Sequence, residues 1–180
     1  MTLATALMAG LFLLSSCHDD DDYRYAPYNH THTGWITQTY IYYLDNILLT
    51  STDQPDVLTA EVRDLEGEIY GDDAVLIYEC TDLGQDGTTA YWTLLPYTRG
   101  DYTLFCQSGD NGYLYFDAIK NNGNWTTDLQ LGTVKVVLIP HEVEITMRSK
   151  GIDMSNYNQV ARFCNLPADD ISALKAVSSL

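Results

Sequence analysis

Residues 102–119 have the sequence YTLFCQSGDNGYLYFDAI, which is typical of a β-hairpin. Aromatic and apolar residues dominate Tyr102–Gln107 and Tyr113–Ile119, and a short polar stretch joins these two segments. The Asn111-Gly112 pair in that stretch supplies the positive φ angles that tight hairpin turns require. We therefore expect two antiparallel strands here, and we expect neighbouring segments to extend the same sheet.

Two further segments are apolar on both faces. They are Ala74–Cys80 (AVLIYEC) and Thr133–Ile139 (TVKVVLI), the second of which is followed by Pro140. Continuous apolar runs of this length are typical of central strands that are covered on both sides. The sequence therefore predicts that other layers pack against both faces of at least one sheet.

Shorter strands are predicted on either side of these segments. Val57–Val62 alternates between apolar and polar residues, and Ala90–Leu95 is apolar until Pro96 stops it. Trp35–Thr50 is interrupted by Asp45-Asn46, so it should form two short strands or one bent strand. Roughly seven to nine strands about 10 residues apart predict a mainly β fold, an antiparallel β-sandwich of immunoglobulin-like or similar type.

The C-terminal part of the chain carries the helical signals. Ser155–Cys164 should be a short α-helix capped by Asp153 or Ser155, and it should pack against an edge or end of the sandwich. His141–Lys150 is ambiguous, because its apolar residues alternate as in a strand while its charges follow the order of a helix dipole. We favour a strand or irregular structure there. Asp169–Leu180 could add another short helix.

The N-terminal residues predict export and lipid attachment. Residues 1–16 are apolar and uncharged, and they are too few for a membrane-spanning helix, so they are predicted to be a signal peptide. Leu14-Ser15-Ser16-Cys17 matches a bacterial lipobox, in which Cys17 is acylated and becomes the first mature residue. The alternative, a buried cysteine ending a hydrophobic helix, is disfavoured because Asp19–Asp22 follow directly. Residues 17–33 are predicted to be an acidic tether, and 34–180 a single domain.

The charge of the chain excludes some classes of binding partner, and its cysteines raise the question of a disulfide. The chain has 25 Asp and Glu against 9 Lys and Arg, with a net charge of −16. This balance argues against nucleic acid, and it leaves the lipid anchor as the only expected membrane contact. Cys80 and Cys106 lie in predicted strands and are the candidate pair if a disulfide forms, but we favour three buried free thiols, with Cys164 as the third.

Five segments in the order found here resemble an uncharacterised small lipoprotein family of Bacteroidetes. They are Leu14–Cys17, Leu65–Tyr70 leading into Ala74–Tyr78, Trp92–Thr98, Val134–Pro140, and Gly151–Tyr157 with Val160. The resemblance implies export, lipid anchoring and a β-rich domain. It implies no activity, and no functional residues can be transferred from it. In this phylum an acidic run after the lipidated cysteine is similar to a signal for transfer to the cell surface, although His18 offsets the run here.

Candidate ligand sites are few. Trp125 beside Asn122 and Asn124 on a predicted loop could bind a sugar, because aromatic faces stack on sugar rings and amides bind hydroxyls. The alternative is that the aromatic residues of this chain are ordinary strand residues.

Asp82 and Asp86 resemble the start of a calcium loop, but position twelve is Thr93 instead of an acid, so the segment Asp82–Thr89 is better explained as a hairpin turn. None of the Ser, His or Cys residues lies in a recognisable catalytic motif, and no cofactor is implied.

We therefore expect a non-catalytic, lipid-anchored protein of the outer membrane with a binding or structural role. We expect display on the cell surface, with the periplasmic face as the alternative. A glycan-binding accessory module is the second hypothesis for its function, and a hydrolase is the third.

Overall fold

The computed structural model describes residues 39–66, 68–69, 73–85, 88–109 and 112–176. The predicted signal peptide, the predicted lipidation site Cys17 and the predicted tether lie outside the described residues, and so does Asp86. None of the helices in the described ranges is long and apolar enough to cross a membrane.

Ten strands and two α-helices make up the described fold. The strands are β1 Tyr40–Leu44, β2 Leu48–Ser51, β3 Val57–Val62, β4 Ala74–Leu83, β5 Ala90–Leu94, β6 Tyr97–Arg99, β7 Tyr102–Ser108, β8 Leu114–Lys120, β9 Leu129–Gln130 and β10 Val134–Ile139. The helices are α1 His141–Ser149 and α2 Tyr157–Cys164, followed by a 3₁₀ turn at Ile171–Ala173.

The strands form two antiparallel sheets. One has four strands in the order β1-β10-β4-β5, and the other has six in the order β6-β7-β8-β3-β2-β9. The expected hairpin forms β7 and β8, with Tyr102 opposite Lys120 and Ser108 opposite Leu114. The prediction of a mainly β, sandwich-like fold with a C-terminal helix is confirmed.

The hydrophobic core between the sheets follows from strand alternation. Val134, Val136 and Leu138 of β10 belong to the same buried cluster as Leu104 and Phe116 of the six-stranded sheet. Because successive strand residues point to opposite faces, the residues between them must be covered from the other side. Strands β4 and β10 are apolar on both faces because both faces are covered, as predicted.

The helices provide this second cover. Tyr78, Val137 and Ile139 form a separate buried cluster with Tyr157 and Val160 of α2, and Met147 of α1 joins it. The protein therefore has three layers, in which the four-stranded sheet lies between the six-stranded sheet and the helices. The helical layer is wider than a single terminal helix at an edge.

The expectation of a strand or irregular structure at His141–Lys150 is wrong, because the segment is helix α1. Acidic residues in its first turn and Arg148 in its last turn interact favourably with the helix dipole. Arg148 Nε also donates a hydrogen bond to Glu144 Oε1 at 2.7 Å. Of its alternating apolar residues only Met147 is buried, and Ile145 is 52% exposed. The charge order of this segment matched its structure, whereas the apparent period of two did not.

Helix α2 was predicted well except at its cap. The helix begins at Tyr157, and Asn156 accepts a hydrogen bond from the Gln159 amide, so neither Asp153 nor Ser155 is the cap. Asp153 instead accepts from the Ser155 amide in the preceding turn. Beyond α2, the described part of the C-terminal segment, which ends at Ala176, contains the short 3₁₀ turn rather than a regular helix.

The break predicted at Asp45-Asn46 separates strands of different sheets. Strand β1 pairs with β10, whereas β2 pairs with β3 and β9. Asn46 has a φ of 60°, a left-handed conformation that asparagine adopts more readily than most residues. This residue therefore lies where the chain crosses from one sheet to the other.

The three described cysteines are free thiols. Cys106 packs against the core between the sheets, while Cys80 follows Tyr78 on the face of β4 that the helices cover. The four-stranded sheet lies between the two side chains, which explains why this candidate pair is not a disulfide.

Candidate functional site

The most unusual buried group is Lys135, at the second position of β10. Tyr43 of β1 and Tyr78 of β4 are its neighbours across the sheet. Its side chain points to the face that the helices cover, and the residue is fully buried. A lysine in a central strand would normally be excluded from such a layer, because burying an unpaired charge is costly.

Asp169 compensates the charge of Lys135. The Lys135 Nζ atom lies 2.5 Å from Asp169 Oδ1, and the Asp169 side chain is 10% exposed. Asp169 belongs to the segment after α2, which therefore passes over the four-stranded sheet. The two residues are 34 positions apart, and folding of the helical layer brings them together.

Three aromatic rings enclose the ammonium group. Its nitrogen lies 3.6 Å from the centroid of Tyr157, 4.0 Å from that of Trp92 and 5.2 Å from that of Tyr43. Aromatic faces attract cations electrostatically, more strongly when water is excluded. We call Lys135, Asp169, Tyr43, Trp92 and Tyr157 the Lys135 cluster.

Both carboxylate oxygens of Asp169 accept hydrogen bonds from this cluster. The Tyr43 hydroxyl donates to Oδ1 at 2.6 Å, and the Trp92 indole N–H donates to Oδ2 at 2.9 Å. Two donors and one ammonium group therefore hold the carboxyl in a fixed orientation. Charge-assisted hydrogen bonds of this kind are among the stronger ones in proteins.

Burial dominates the electrostatics of the cluster. It lowers the pKa of Lys135 to about 8, although the hydrogen bond and charge of Asp169 act in the opposite direction. Burial, followed by the hydrogen bond to Asp169, raises the pKa of Tyr43. Burial also raises the pKa of the nearby Cys80 thiol to about 11. The cluster thus keeps an amine of lowered basicity against a carboxyl group.

A second buried charge lies on the opposite face of the same sheet. Glu79 of β4 is fully buried; it accepts hydrogen bonds from the Tyr97 hydroxyl at Oε2 and, at 2.9 Å, from the Gly132 amide at Oε1. Burial raises the pKa of Glu79, and these hydrogen bonds partly oppose the shift. Glu79 therefore ties β6 and the loop before β10 to the four-stranded sheet.

The outer face of the six-stranded sheet is open. Strand register places Asp117 of β8 between Phe105 of β7 and Thr59 of β3, with Tyr115 in the next outward row. A shallow depression on this face is lined in part by Thr59, Asp117 and Ile119, and Ile119 is 37% exposed. We call this surface the open sheet face. It combines apolar and aromatic side chains with hydroxyl and carboxylate groups.

The predicted sugar-binding residues border the open sheet face. The Trp125 amide donates to Pro55 O at 2.8 Å, which places this loop beside the loop that continues the depression. Asn122 and Asn124 are exposed, whereas Trp125 is half-buried.

The Trp125 indole N–H donates to Ala118 O at 3.1 Å, and its ring packs against Tyr102 with centroids 5.3 Å apart. Lys120 Nζ lies 5.0 Å from the Trp125 ring centroid. Much of this ring therefore packs against the protein itself.

The structure describes one of the two predicted metal candidates, Asp82. Asp82 lies in β4 opposite Tyr91, after a register shift, so the strand continues two residues into the predicted turn. The predicted hairpin between β4 and β5 is confirmed, and the Gly84 amide donates to Thr89 O at 2.8 Å where it closes. Asp86 lies outside the described residues. Within the described ranges, no group of three or more His, Cys, Asp or Glu side chains is arranged to hold a metal ion.

Sequence reasoning missed the Lys135 cluster. The one available signal was a lysine inside the apolar run VKVVLI, which we interpreted only as a buried strand. Its partners come from β1, β5, α2 and the C-terminal segment, and no local motif links them.

No protein-family model matches the chain, and no curated protein or solved structure is significantly similar to it.

Proposed function

We propose that this chain is a non-catalytic protein of the cell envelope, anchored to the outer membrane by lipid on Cys17. The observation that carries the proposal is Leu14-Ser15-Ser16-Cys17, between an uncharged apolar leader and Asp19–Asp22. Each buried methylene of an acyl chain contributes about 0.8 kcal/mol, so two or more chains hold a protein stably at a bilayer. The folded domain then needs no membrane contact of its own.

The arrangement of the buried ionisable groups supports a binding or structural role. Lys135 and Glu79 have partners inside the protein, and other elements of the fold cover both. Reaction with an external substrate requires reactive groups that line an accessible cleft. In this protein the buried groups instead connect strands to later segments of the chain, which stabilises the domain.

Lipid attachment is tested by metabolic labelling with a fatty acid. We expect label in the wild-type chain and none in Cys17→Ala, which should be released or remain uncleaved. Cys164→Ala is the matched control, because this half-buried thiol lies in α2, and it should keep the label. Label retained in Cys17→Ala would contradict the proposal.

Surface display is a separate part of the proposal. The acidic run after Cys17 supports it through its similarity to surface-transfer signals in Bacteroidetes. Protease added to intact cells should remove the domain, while a periplasmic control protein survives. If the domain survives together with that control, it faces the periplasm.

The second candidate function is glycan binding, now assigned to the open sheet face and the loop that borders it. The observation that favours it is the row of Phe105, Asp117 and Thr59, with exposed Asn122 and Asn124 nearby. Such a surface offers an aromatic ring for stacking together with groups that hydrogen-bond sugar hydroxyls.

A glycan array with the purified chain tests this candidate. We expect Phe105→Ala to weaken binding at least about tenfold, a loss of the size expected for one aromatic contact. Tyr91→Ala is the matched control, because Tyr91 is 53% exposed but belongs to the other sheet. No binding to any polysaccharide, or equal loss in both variants, would reject this candidate.

A further inference from the structure

Lys135 and Asp169 meet beneath the helical layer, where the lysine is fully buried and the Asp169 side chain is 10% exposed. The amine nitrogen is 2.5 Å from a carboxylate oxygen, and the ring centroids of Tyr157 and Trp92 lie within 4.0 Å of the nitrogen. An ion pair in such a place loses much of the stabilisation that water gives to separated charges. Transfer of a proton from the ammonium to the carboxylate would remove both charges, and with them the cost of burying two ions.

The neutral pair would consist of a nucleophile and an electrophile in contact. A desolvated lysine amine is a recognised nucleophile in proteins. The Trp92 N–H, 2.9 Å from Asp169 Oδ2, can polarise the carbonyl and stabilise negative charge on that oxygen. The Tyr43 hydroxyl, 2.6 Å from Oδ1, is placed to pass a proton to the oxygen that would leave.

We propose that Lys135 and Asp169 form an intramolecular isopeptide bond. After proton transfer, the lone pair of Lys135 Nζ attacks Asp169 Cγ and gives a tetrahedral intermediate whose charge develops on Oδ2. The Cγ–Oδ1 bond then breaks. Oδ1 leaves as water with the proton received from the ammonium and a second proton that nitrogen releases, so the products are one amide and one water. No oxidant, reductant or other reactant is required.

The bond would fasten the helical layer to the four-stranded sheet. It would join β10 to the segment beyond α2 and close a covalent ring that contains both helices. This inference does not depend on the proposed anchor or on glycan binding. The linkage would make the domain more resistant to unfolding and proteolysis wherever the protein is located.

Peptide mapping of the full chain under denaturing conditions tests the proposal. Trypsin normally cleaves after Lys135, but an acylated lysine blocks the cut. The linked protein should therefore give one branched product, residues 121–148 joined to 163–175, with the summed mass of the two peptides minus one water. Fragmentation should locate the junction at Lys135 and Asp169.

Separate peptides ending at Lys135 and containing unmodified Asp169, recovered from folded wild-type protein, would overturn the proposal. Asp169→Ala and Lys135→Met should each abolish the branched product.

A matched control is available in the exposed pair Lys120 and Asp101, whose nitrogen and oxygen lie 2.8 Å apart. Contact alone does not suffice if desolvation is the cause, so trypsin should still cut after Lys120, and peptide 100–120, which contains both residues, should keep its full mass. Asp101→Ala should leave the Lys135–Asp169 product unchanged.

The roles of Tyr43 and Trp92 are tested with Tyr43→Phe and Trp92→Phe, which keep a ring but lose the donor. Each should lower the linked fraction at matched times after synthesis, with the rate reduced by at least about tenfold. A linked fraction equal to wild type in both variants would remove these residues from the mechanism, and with them the activation step proposed here.

Discussion

Replacing Asp169 with alanine should destabilise the protein more than any substitution of an exposed ion pair. In Asp169→Ala the Lys135 amine stays fully buried and loses its anion. Breaking a buried ion pair by removing one partner costs about 3–5 kcal/mol. The Trp92 N–H also loses its acceptor, which adds about 1 kcal/mol, whereas the 42% exposed Tyr43 can donate to water instead.

Urea denaturation followed by tryptophan fluorescence and circular dichroism measures this loss. Asp101→Ala is the matched control, because Asp101 also pairs with a lysine but in solvent, and its substitution should cost far less. Lys135→Met combined with Asp169→Ala removes the charge as well as its partner. The double variant should recover the part of the loss that a bare buried ammonium causes.

The same double variant separates charge burial from covalent linkage. Neither Asp169→Ala nor the double variant can form the isopeptide bond. If the wild-type protein is linked, its free energy of unfolding should therefore stay higher than that of both variants. Closing a ring across 34 positions stabilises a chain by about 4 kcal/mol in the loop-entropy model. If Asp169→Ala and Asp101→Ala lower the unfolding free energy equally, the argument that the buried pair stabilises the fold is refuted.

Three further outcomes are expected. The change in stability caused by Glu79→Gln, relative to wild type, should be more favourable at about pH 8 than at about pH 4. The pKa of Glu79 is raised above 4.5 in the folded state, so the stability that protonated Glu79 contributes is present below that value and is lost as pH rises through the folded pKa. Urea midpoints at both pH values measure this, and a wild-type-like pH profile in the variant would contradict it. Phe116→Ala should cost about 3–5 kcal/mol because Phe116 fills the core between the sheets, whereas Phe105→Ala on the open sheet face should cost clearly less; equal losses would refute the assigned faces. Asn165→Ala should lose about 1 kcal/mol and Asn165→Gly should not, because this C-cap has a φ of 51°, and thermal unfolding compares the two.

Local chemistry explains which parts of the fold could be predicted. The hairpin at 102–119 follows from its turn residues and apolar segments, which act within a few positions of each other. The two-sided strands β4 and β10 were recognisable because burial on both faces leaves a continuous apolar run. Strands β6 and β9 are three and two residues long, too short to show any period. Helix α1 was missed because three apolar residues happened to alternate.

The candidate site was largely unpredictable for a different reason. Lys135 and Asp169 approach only when α2 lies over the sheet, and Tyr43 reaches Asp169 across 126 positions. No spacing rule connects residues that far apart. The open sheet face is likewise a product of register, since Phe105 and Asp117 are unremarkable in their own strands but lie opposite each other. The three residues predicted from the sequence, Trp125, Asn122 and Asn124, lie on a loop that borders the open sheet face.

The sequence by itself determined the strand-forming segments, the turns between them and the acidic character of the chain, because these depend on residues close together or on composition. The predicted leader and lipobox also rest on local patterns, and the anchor proposed from them stays a prediction. Only the tertiary structure decided that β1 and β2 join different sheets, that the helices form a third layer, and that a lysine in an apolar strand finds its carboxylate beneath that layer. These features depend on which surfaces exclude water together, and that is settled when the layers pack.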